Sequence, residues 1–108
     1  MSETLAAPVI TTRTKTMAAL APLYHVILLN DDDHTFGYVI EMLCKIFGHE
    51  PATGHQMAWE VHRTGRVIVV TTHKELAELR QEQIHDYGAD PLAPNCKGSM
   101  SALVEQAA

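Results

Sequence analysis

The sequence predicts an α+β domain in which a small, largely antiparallel sheet of three strands packs on helices. Short runs rich in β-branched residues alternate with longer segments whose apolar residues recur at helical spacing. With 108 residues, 46% of them hydrophobic and 19% charged, the chain has the size and composition of a single globular domain. The predicted order of elements is β-α-α-β-α-β, preceded by a mobile tail.

The tail is predicted over residues 1–21, because this stretch holds neither a helical nor a strand period and is rich in Thr. The folded body is then residues 22–108. The chain opens without an early Lys or Arg and has no apolar run approaching the roughly 18 residues of a membrane span, so neither a signal peptide nor a membrane anchor is expected. Two cysteines are too few for a secreted disulfide scaffold and indicate reduced thiols in the cytoplasm.

The first strand is predicted over Tyr24–Leu29, an aliphatic run too short for a stable helix. It ends at the loop-forming cluster Asn30-Asp31-Asp32-Asp33. Thr35 is a suitable N-cap for the first helix, and Gly48 a suitable end to it. One apolar stripe runs between them, through Phe36, Val39, Ile40, Leu43, Ile46 and Phe47.

Pro51 suits the first turn of a second helix, which Gly65 is expected to end. Arg66–Thr71 predicts the second strand. The T-x-x-E pattern of Thr72 to Glu75 is typical of a capping box, so a third helix is expected to start there and run to Gly88. The third strand is predicted over Met100–Glu105, after an irregular connection.

Composition and motifs argue against several functions. A net charge of −5 is unfavourable for general nucleic-acid binding. The run of three Asp lacks the Gly and the twelfth-position Glu of a calcium loop, and no histidine pair has the i, i+4 spacing of a shared metal ion. No nucleophile, nucleotide or phosphate-binding motif is present. The sequence therefore predicts a binding module without metal or cofactor rather than an enzyme.

The polar residues after the first strand suggest what such a module binds. An Asn carbonyl, Asp carboxylates and a neutral imidazole all accept hydrogen bonds, and a protonated amine offers three donors. Apolar residues of the two helices would lie beside them, namely Phe36, Val39, Ala58 and Val61. An amine beside a hydrophobic slot describes either the first residue of a peptide or a free amino acid.

Two separated motifs carry a family resemblance. Leu28-Leu29-Asn30-Asp31-Asp32 is followed by Thr35-Phe36 and a helix, and Val61-His62-x-x-Gly65 precedes an apolar strand. Together, at this spacing, they resemble the ClpS family, the adaptors that deliver N-degron substrates to Hsp100-class Clp unfoldases. The resemblance covers residues 23–87 and implies the same α+β fold with a mobile N-terminal extension.

The resemblance also implies roles for individual residues. Asn30, Asp31 and His62 correspond to the site for the substrate's α-amine. The hydrophobic pocket would be formed by Leu28, Asp32, His34, Phe36, Val39, Ala58, Val61 and Met100, with Leu92 as the alternative to Met100. Glu75 and Arg80 fall where the family docks on the N-terminal domain of the unfoldase. The chain departs from the family at His34, where a Thr is usual, and at Phe36 and Ala58, where Met is usual.

The function implied is that of a monomeric, non-catalytic adaptor for proteins beginning with Phe, Tyr, Trp or Leu, with no nucleic-acid or membrane partner. Its partner would be a Clp-family AAA+ unfoldase, and handover would need the N-terminal tail. Two alternatives stay open. The chain could be a small amino-acid- or metal-binding protein, or a paralogue that keeps the fold with a different guest.

Overall fold

The structure is a computed structural model that describes residues 21–31, 33–92 and 98–107. Within these ranges the elements are β1 (Leu23–Leu29), α1 (Phe36–Phe47), α2 (Pro51–Thr64), β2 (Arg66–His73), α3 (Lys74–His85) and β3 (Ser101–Gln106). The predicted class and element order are therefore confirmed. The predicted tail lies outside the described residues except for position 21.

The three strands form one antiparallel sheet in the order β2-β1-β3. β1 is the central strand, and Val26, Ile27 and Leu28 are buried in it. Val26 and Leu28 belong to the core, whereas Ile27 is buried between its cross-strand partners Ile68 and Leu103, which are 45% and 41% exposed. Because β1 is central, the loop that follows Leu29 emerges in the middle of one end of the sheet, between the helices and the other strands.

The helix boundaries follow the predicted caps. The Thr35 hydroxyl accepts a hydrogen bond from the Tyr38 backbone N–H at 3.2 Å, as an N-cap does. Gly48 and Gly65 end α1 and α2 with φ values of 71° and 91°, in the left-handed region that glycine adopts without a steric penalty. Both glycine caps and the Thr35 cap are confirmed.

α1 and α2 pack against each other, and α3 packs on all three strands. The core between helices and sheet contains Val26, Leu28, Met42, Leu43, Val61, Val69, Ala77, Ile84 and Met100. The apolar stripe predicted for α1 supplies part of it, since Val39 and Leu43 are buried. The two helices therefore meet beside the end of β1, where they leave a cavity.

The capping-box prediction at Thr72 is wrong. β2 continues through Thr72 and His73, which pair with Tyr24 and Leu23 of β1. α3 begins only at Lys74, and its N-cap is His73, whose side chain makes no capping hydrogen bond. Extended pairing with the central strand and the β-branched side chain of Thr72 favour the strand over the cap. α3 also ends at His85, earlier than predicted, and β3 begins one residue late.

Candidate functional site

The candidate site is a cavity of about 140 Å³ at the end of the central strand. Four segments form it: the loop after β1, the first turn of α1, the second half of α2, and the segment before β3. Its lining residues are Asn30, His34, Thr35, Phe36, Val39, Ala58, Val61, His62 and Met100.

The floor of the cavity is apolar. Val39 from α1, Ala58 and Val61 from α2, and Met100 before β3 are each at most 4% exposed. Ala58, Val61 and His62 follow one another at i, i+3 and i+4, so they share one face of α2. Transfer of an apolar side chain onto this floor would be favoured by roughly 25 cal/mol per Å² of surface removed from water.

The rim of the cavity is polar at one side. The backbone N–H of Asn30 donates to the Gly65 carbonyl at 3.0 Å, which ties the end of β1 to the end of α2. This bond brings Asn30 to the same cavity as His62, an exposed residue of the last turns of α2. An amide and an imidazole therefore stand beside an apolar floor.

Two acceptors among the described residues contact the His34 ring. Its Nδ1 lies 2.8 Å from Asp31 Oδ1, and its Nε2 lies 2.8 Å from the Gly98 carbonyl oxygen. Burial by itself would lower the pKa of His34. The hydrogen bonds to Asp31 and Gly98, together with the negative charges of Asp31 and Asp90, outweigh burial and raise the pKa above its ordinary value of 6.5.

Asp90 binds Thr35, the residue that caps the start of α1. This carboxylate is only 4% exposed. Its Oδ2 accepts hydrogen bonds at 2.8 Å from both the backbone N–H and the hydroxyl of Thr35, and its Oδ1 accepts from the Leu92 N–H at 2.9 Å. Burial alone would raise the pKa of Asp90, but these donors and the nearby His34 lower it.

Eight of the eleven residues predicted for the amine site and the pocket line this cavity: Asn30, His34, Phe36, Val39, Ala58, Val61, His62 and Met100. Leu28 is fully buried in the core and does not line it. Asp31 lies next to it, with Oδ1 accepting from the His34 ring and from the Asp33 N–H. Asp32 lies outside the described residues. Leu92, the alternative to Met100, is 78% exposed and does not line the cavity.

Sequence reasoning missed Trp59 and Asp90. The Trp59 side chain is 47% exposed, and its ring lies 5.1 Å from that of Phe36 and 6.0 Å from that of His62, centroid to centroid. An indole one position after Ala58 was a visible signal for an aromatic neighbour of the residues that line the cavity. The signal for Asp90 was weaker: an Asp before Pro favours an Asx turn, and Asp90 Oδ1 makes one with Leu92.

The predicted docking residues are on α3, which contributes nothing to the lining of the cavity. Glu75 is exposed in its first turn, and Arg80 is half-buried, with Nη1 donating to Gln83 Oε1 at 2.9 Å. Leu76 and Leu79 are exposed between them. Arg80 and Leu79 also line a surface groove of about 570 Å³ that reaches Ile46 and Tyr87.

Among residues 21–31, 33–92 and 98–107, no cluster of three His, Cys, Asp or Glu side chains is arranged to hold a metal ion. In the same part of the chain, no helix is long and apolar enough to cross a membrane.

Comparison with known proteins gives a consistent family. The profile of the family described as ATP-dependent Clp protease adaptor protein ClpS matches residues 19–94. The chain is 35% identical over 78 residues to the ClpS adapter protein of Roseobacter denitrificans, covering 72% of this chain and 69% of that protein. It is 33% identical over 76 residues to the ClpS adapter protein of a Ruegeria species, covering 70% and 67%.

The fold is also similar to a solved structure. The structure of Agrobacterium tumefaciens ClpS2 bound to L-phenylalaninamide aligns with a TM-score of 0.68 and 27% sequence identity. The alignment covers 80% of this chain and 98% of that one. The similarity therefore extends over nearly the whole of the ClpS2 chain.

Proposed function

The chain belongs to the ClpS family of Clp protease adaptor proteins, and on that premise we propose that it recognises N-degrons. It binds the free α-amino group and the bulky hydrophobic first residue of a substrate and delivers the substrate to a Clp ATPase–protease. The observation that carries this proposal is the convergence of Asn30 and His62 on one apolar cavity of about 140 Å³.

The polar rim suits a protonated amine. The side-chain carbonyl of Asn30 and a neutral His62 ring both accept hydrogen bonds, and an α-ammonium group supplies three donors. Asp31 lies beside the cavity, where its carboxylate is bound to the His34 ring. Hydrogen bonds from a charged donor are about twice as strong as neutral ones, so an acetylated N-terminus would lose the charge and two of the three N–H donors.

The apolar floor suits a ring-bearing or long aliphatic side chain. An apolar cavity of roughly 150 Å³ holds one benzene ring, and this cavity is about 140 Å³. The phenylalaninamide bound to Agrobacterium ClpS2 carries a free α-amine, a benzyl group and an amide in place of the next peptide bond. We infer that the cavity of this chain takes the same kind of first residue.

Delivery requires a second surface, and α3 is the best candidate. Glu75 and Arg80 flank the exposed Leu76 and Leu79, so charge of both signs surrounds an apolar centre. Interfaces of this type combine an apolar core with a polar rim. We propose that this face docks on the N-terminal domain of the unfoldase. The chain then acts by tethering and performs no covalent step.

A panel of short peptides tests the proposal. Peptides identical except for a first residue of Phe, Tyr, Trp, Leu, Val, Ser or Lys are measured by fluorescence anisotropy, with an N-acetylated copy of the Phe peptide as control. We expect binding of the four bulky residues, and loss of binding on acetylation. Equal affinity for acetylated and free peptides would overturn the proposal. Binding of phenylalaninamide but of no peptide would instead support a free amino acid as the guest.

A further inference from the structure

His34 lies where two segments of the cavity wall meet. One ring nitrogen lies 2.8 Å from Asp31 in the loop after β1, and the other lies 2.8 Å from the Gly98 carbonyl in the segment before β3. The His34 side chain is only 3% exposed and the Asp31 side chain is 33% exposed, so the ring is shielded from water whereas the carboxylate is not.

The two partners decide the protonation state of the ring. A backbone carbonyl and an ionised carboxylate can only accept hydrogen bonds, whereas a neutral imidazole carries a single N–H. A neutral His34 would therefore leave Asp31 or Gly98 facing a nitrogen lone pair at 2.8 Å. The imidazolium form, with two N–H groups, satisfies both. The raised pKa of His34 agrees with this geometry.

Among the described residues, carboxylates and an aromatic ring lie close to the His34 ring. Asp31 binds it from the loop after β1, and Asp90 places a second negative charge nearby. The Tyr38 ring of α1 lies against it, with ring centroids 4.6 Å apart and an angle of 38°. Two carboxylates and an aromatic face all favour a cation at this position.

The hydrogen bonds of His34 connect the two functional parts of the cavity. Asp31 directly follows Asn30 of the polar rim, and Gly98 precedes Met100 of the apolar floor by two residues. Ser99, between them, is bound to the Gly88 backbone on its other side. The segment before β3 is thus fastened at Gly98 and at Ser99 before the sheet begins at Ser101.

We propose that protonated His34 is a positioning residue that clamps the loop after β1 to the segment before β3 and so holds the cavity in its binding shape. The consequence for peptide recognition rests on the function proposed above. When the ring loses its proton, one of the two hydrogen bonds is lost, and the Met100 wall is held less tightly against the rim. Peptide affinity then falls on the alkaline side for a reason that lies in the adaptor itself.

The clamp can be tested without any peptide. In uniformly 15N-labelled protein, the ring nitrogens of His34 report directly whether each carries a proton. We expect both to be protonated at pH 7 and hydrogen exchange of the Gly98 and Met100 amides, corrected for intrinsic pH dependence, to accelerate as the ring titrates. A single-proton, neutral tautomer at pH 6.5 would overturn the proposal, whether or not peptides bind.

The effect on recognition is tested with His34→Gln, which keeps polar atoms near both partners but cannot titrate. The matched control is His25→Gln, on β1, where the ring bonds Thr71 and does not line the cavity. We measure the ratio of wild-type to variant affinity for a Phe peptide from pH 6 to pH 9. Titration of the peptide amine, near 7.7–8.0 in reference peptides, cancels in this ratio.

We expect His34→Gln to bind about tenfold more weakly at pH 6, since a charged hydrogen bond is lost, and the ratio to fall towards one at pH 9. His25→Gln should give a ratio near one throughout. A ratio for His34→Gln that is independent of pH would contradict the clamp. If no peptide binds the wild type, the proposed function fails, and the ring-nitrogen measurement still decides the clamp. The same measurement decides it if His34→Gln does not fold.

Discussion

The Phe36 ring, which lines the cavity, meets the Trp59 indole edge-on, with ring centroids 5.1 Å apart. The same ring makes a second edge contact with His62 at 5.3 Å. Edge-to-face pairs of this kind contribute about 0.5–1.5 kcal/mol beyond buried area. Phe36 is thus supported from two sides, and a flat ring with two side-chain torsions adapts less than the three-torsion Met that the family usually has there.

Because the Phe36 ring is rigid, the cavity should discriminate between peptides whose first residue is branched at Cβ and those whose first residue is not. We expect first residues that are unbranched at Cβ, namely Phe, Tyr, Trp and Leu, to bind at least tenfold more tightly than Ile and Val. The Phe36 ring offers an aromatic contact, which should rank the aromatic residues above Leu. Competition binding with peptides that differ only at the first residue gives the ranking. Equal affinity for the Ile and Phe peptides would show that Phe36 moves to accommodate a side chain branched at Cβ.

The depth of the cavity depends on Ala58, which is 1% exposed on the α2 face. Ala58→Met fills the floor with about three more heavy side-chain atoms. We expect this variant to lose affinity for every bulky guest and to lose most for Trp, because the largest side chain needs the most depth. Isothermal titration with Trp, Phe and Leu peptides measures the difference.

Ala52→Met, on an exposed position of the same helix, is the matched control for Ala58→Met. It should leave all three affinities unchanged. If Ala58→Met binds the Trp peptide as well as the wild type does, the side chain of the peptide's first residue does not reach Ala58.

Asn30 and His62 should carry the recognition of the amine. Asn30→Ala and His62→Ala each remove one acceptor from a charged donor, at a cost of roughly 2–5 kcal/mol, or about 30-fold or more in affinity. Neither change should alter the fold, since Asn30 is fastened through its backbone N–H to Gly65 and the His62 side chain is exposed. Peptide titration and thermal unfolding are measured on the same samples.

His55→Ala is the control for His62→Ala, because His55 is exposed on α2 and does not line the cavity. It should bind the Phe peptide with wild-type affinity. A variant of Asn30 or His62 that unfolds early but binds normally when folded would identify that residue as a structural one.

The sequence predicted the local features of the fold well because single residues determine them. Thr35, Gly48 and Gly65 cap their helices through their own side-chain or backbone properties. The wrong start of α3 has the opposite origin. Thr72 has a local capping pattern, but its place is decided by pairing with Tyr24, which is distant in sequence and whose register no local pattern reveals.

The same distinction applies to the cavity. Positions such as Val39, Ala58 and His62 could be predicted because helical spacing or a family motif marks them. Asp90 could not, since its role depends on a hydrogen bond to Thr35 that forms only when the chain returns to the start of α1. The contacts of His34 with Gly98 were beyond prediction for the same reason: they join segments that only the tertiary fold brings together.

The thermal stability of the protein should depend on pH through the titration of Asp90 and His34. The pKa of Asp90 is lowered in the folded state, so its contribution is present at neutral pH and is lost as pH falls through the folded value. The pKa of His34 is raised, so its contribution is complete below 6.5 and is lost as pH rises through the folded value. Thermal unfolding from pH 3 to pH 9 should give a maximum between these two limits.

Asp90→Asn should lower the melting temperature by several degrees at pH 6 and flatten the acid side of that profile. The loss follows because the amide accepts more weakly from Thr35 and no longer neutralises His34. Asp33→Asn, an exposed position in the loop after β1, is the control and should follow the wild-type profile. An unchanged acid side in Asp90→Asn would show that other carboxylates govern the acid transition.

Mutations on α3 should impair docking on the unfoldase and leave peptide binding intact, because α3 lines no part of the cavity. Glu75→Lys and Arg80→Glu reverse the two charges on either side of Leu76 and Leu79. Reversed charges that face a complementary partner cost several kcal/mol. We therefore expect each variant to bind the Phe peptide as the wild type does, and to slow degradation of a Phe-initiated reporter by a purified Clp unfoldase–protease at least tenfold.

The double variant Glu75→Lys/Arg80→Glu tests whether the two charges face each other or face the partner. Arg80 already bonds Gln83 within α3, so a structural role would appear as loss of helix stability rather than loss of delivery. Glu50→Lys, an exposed charge reversal before α2, is the control and should deliver the reporter normally. Normal degradation by both single variants and by the double variant, with their peptide affinity intact, would place the docking surface elsewhere on the chain. The groove that reaches Ile46 and Tyr87 would then be the next surface to alter.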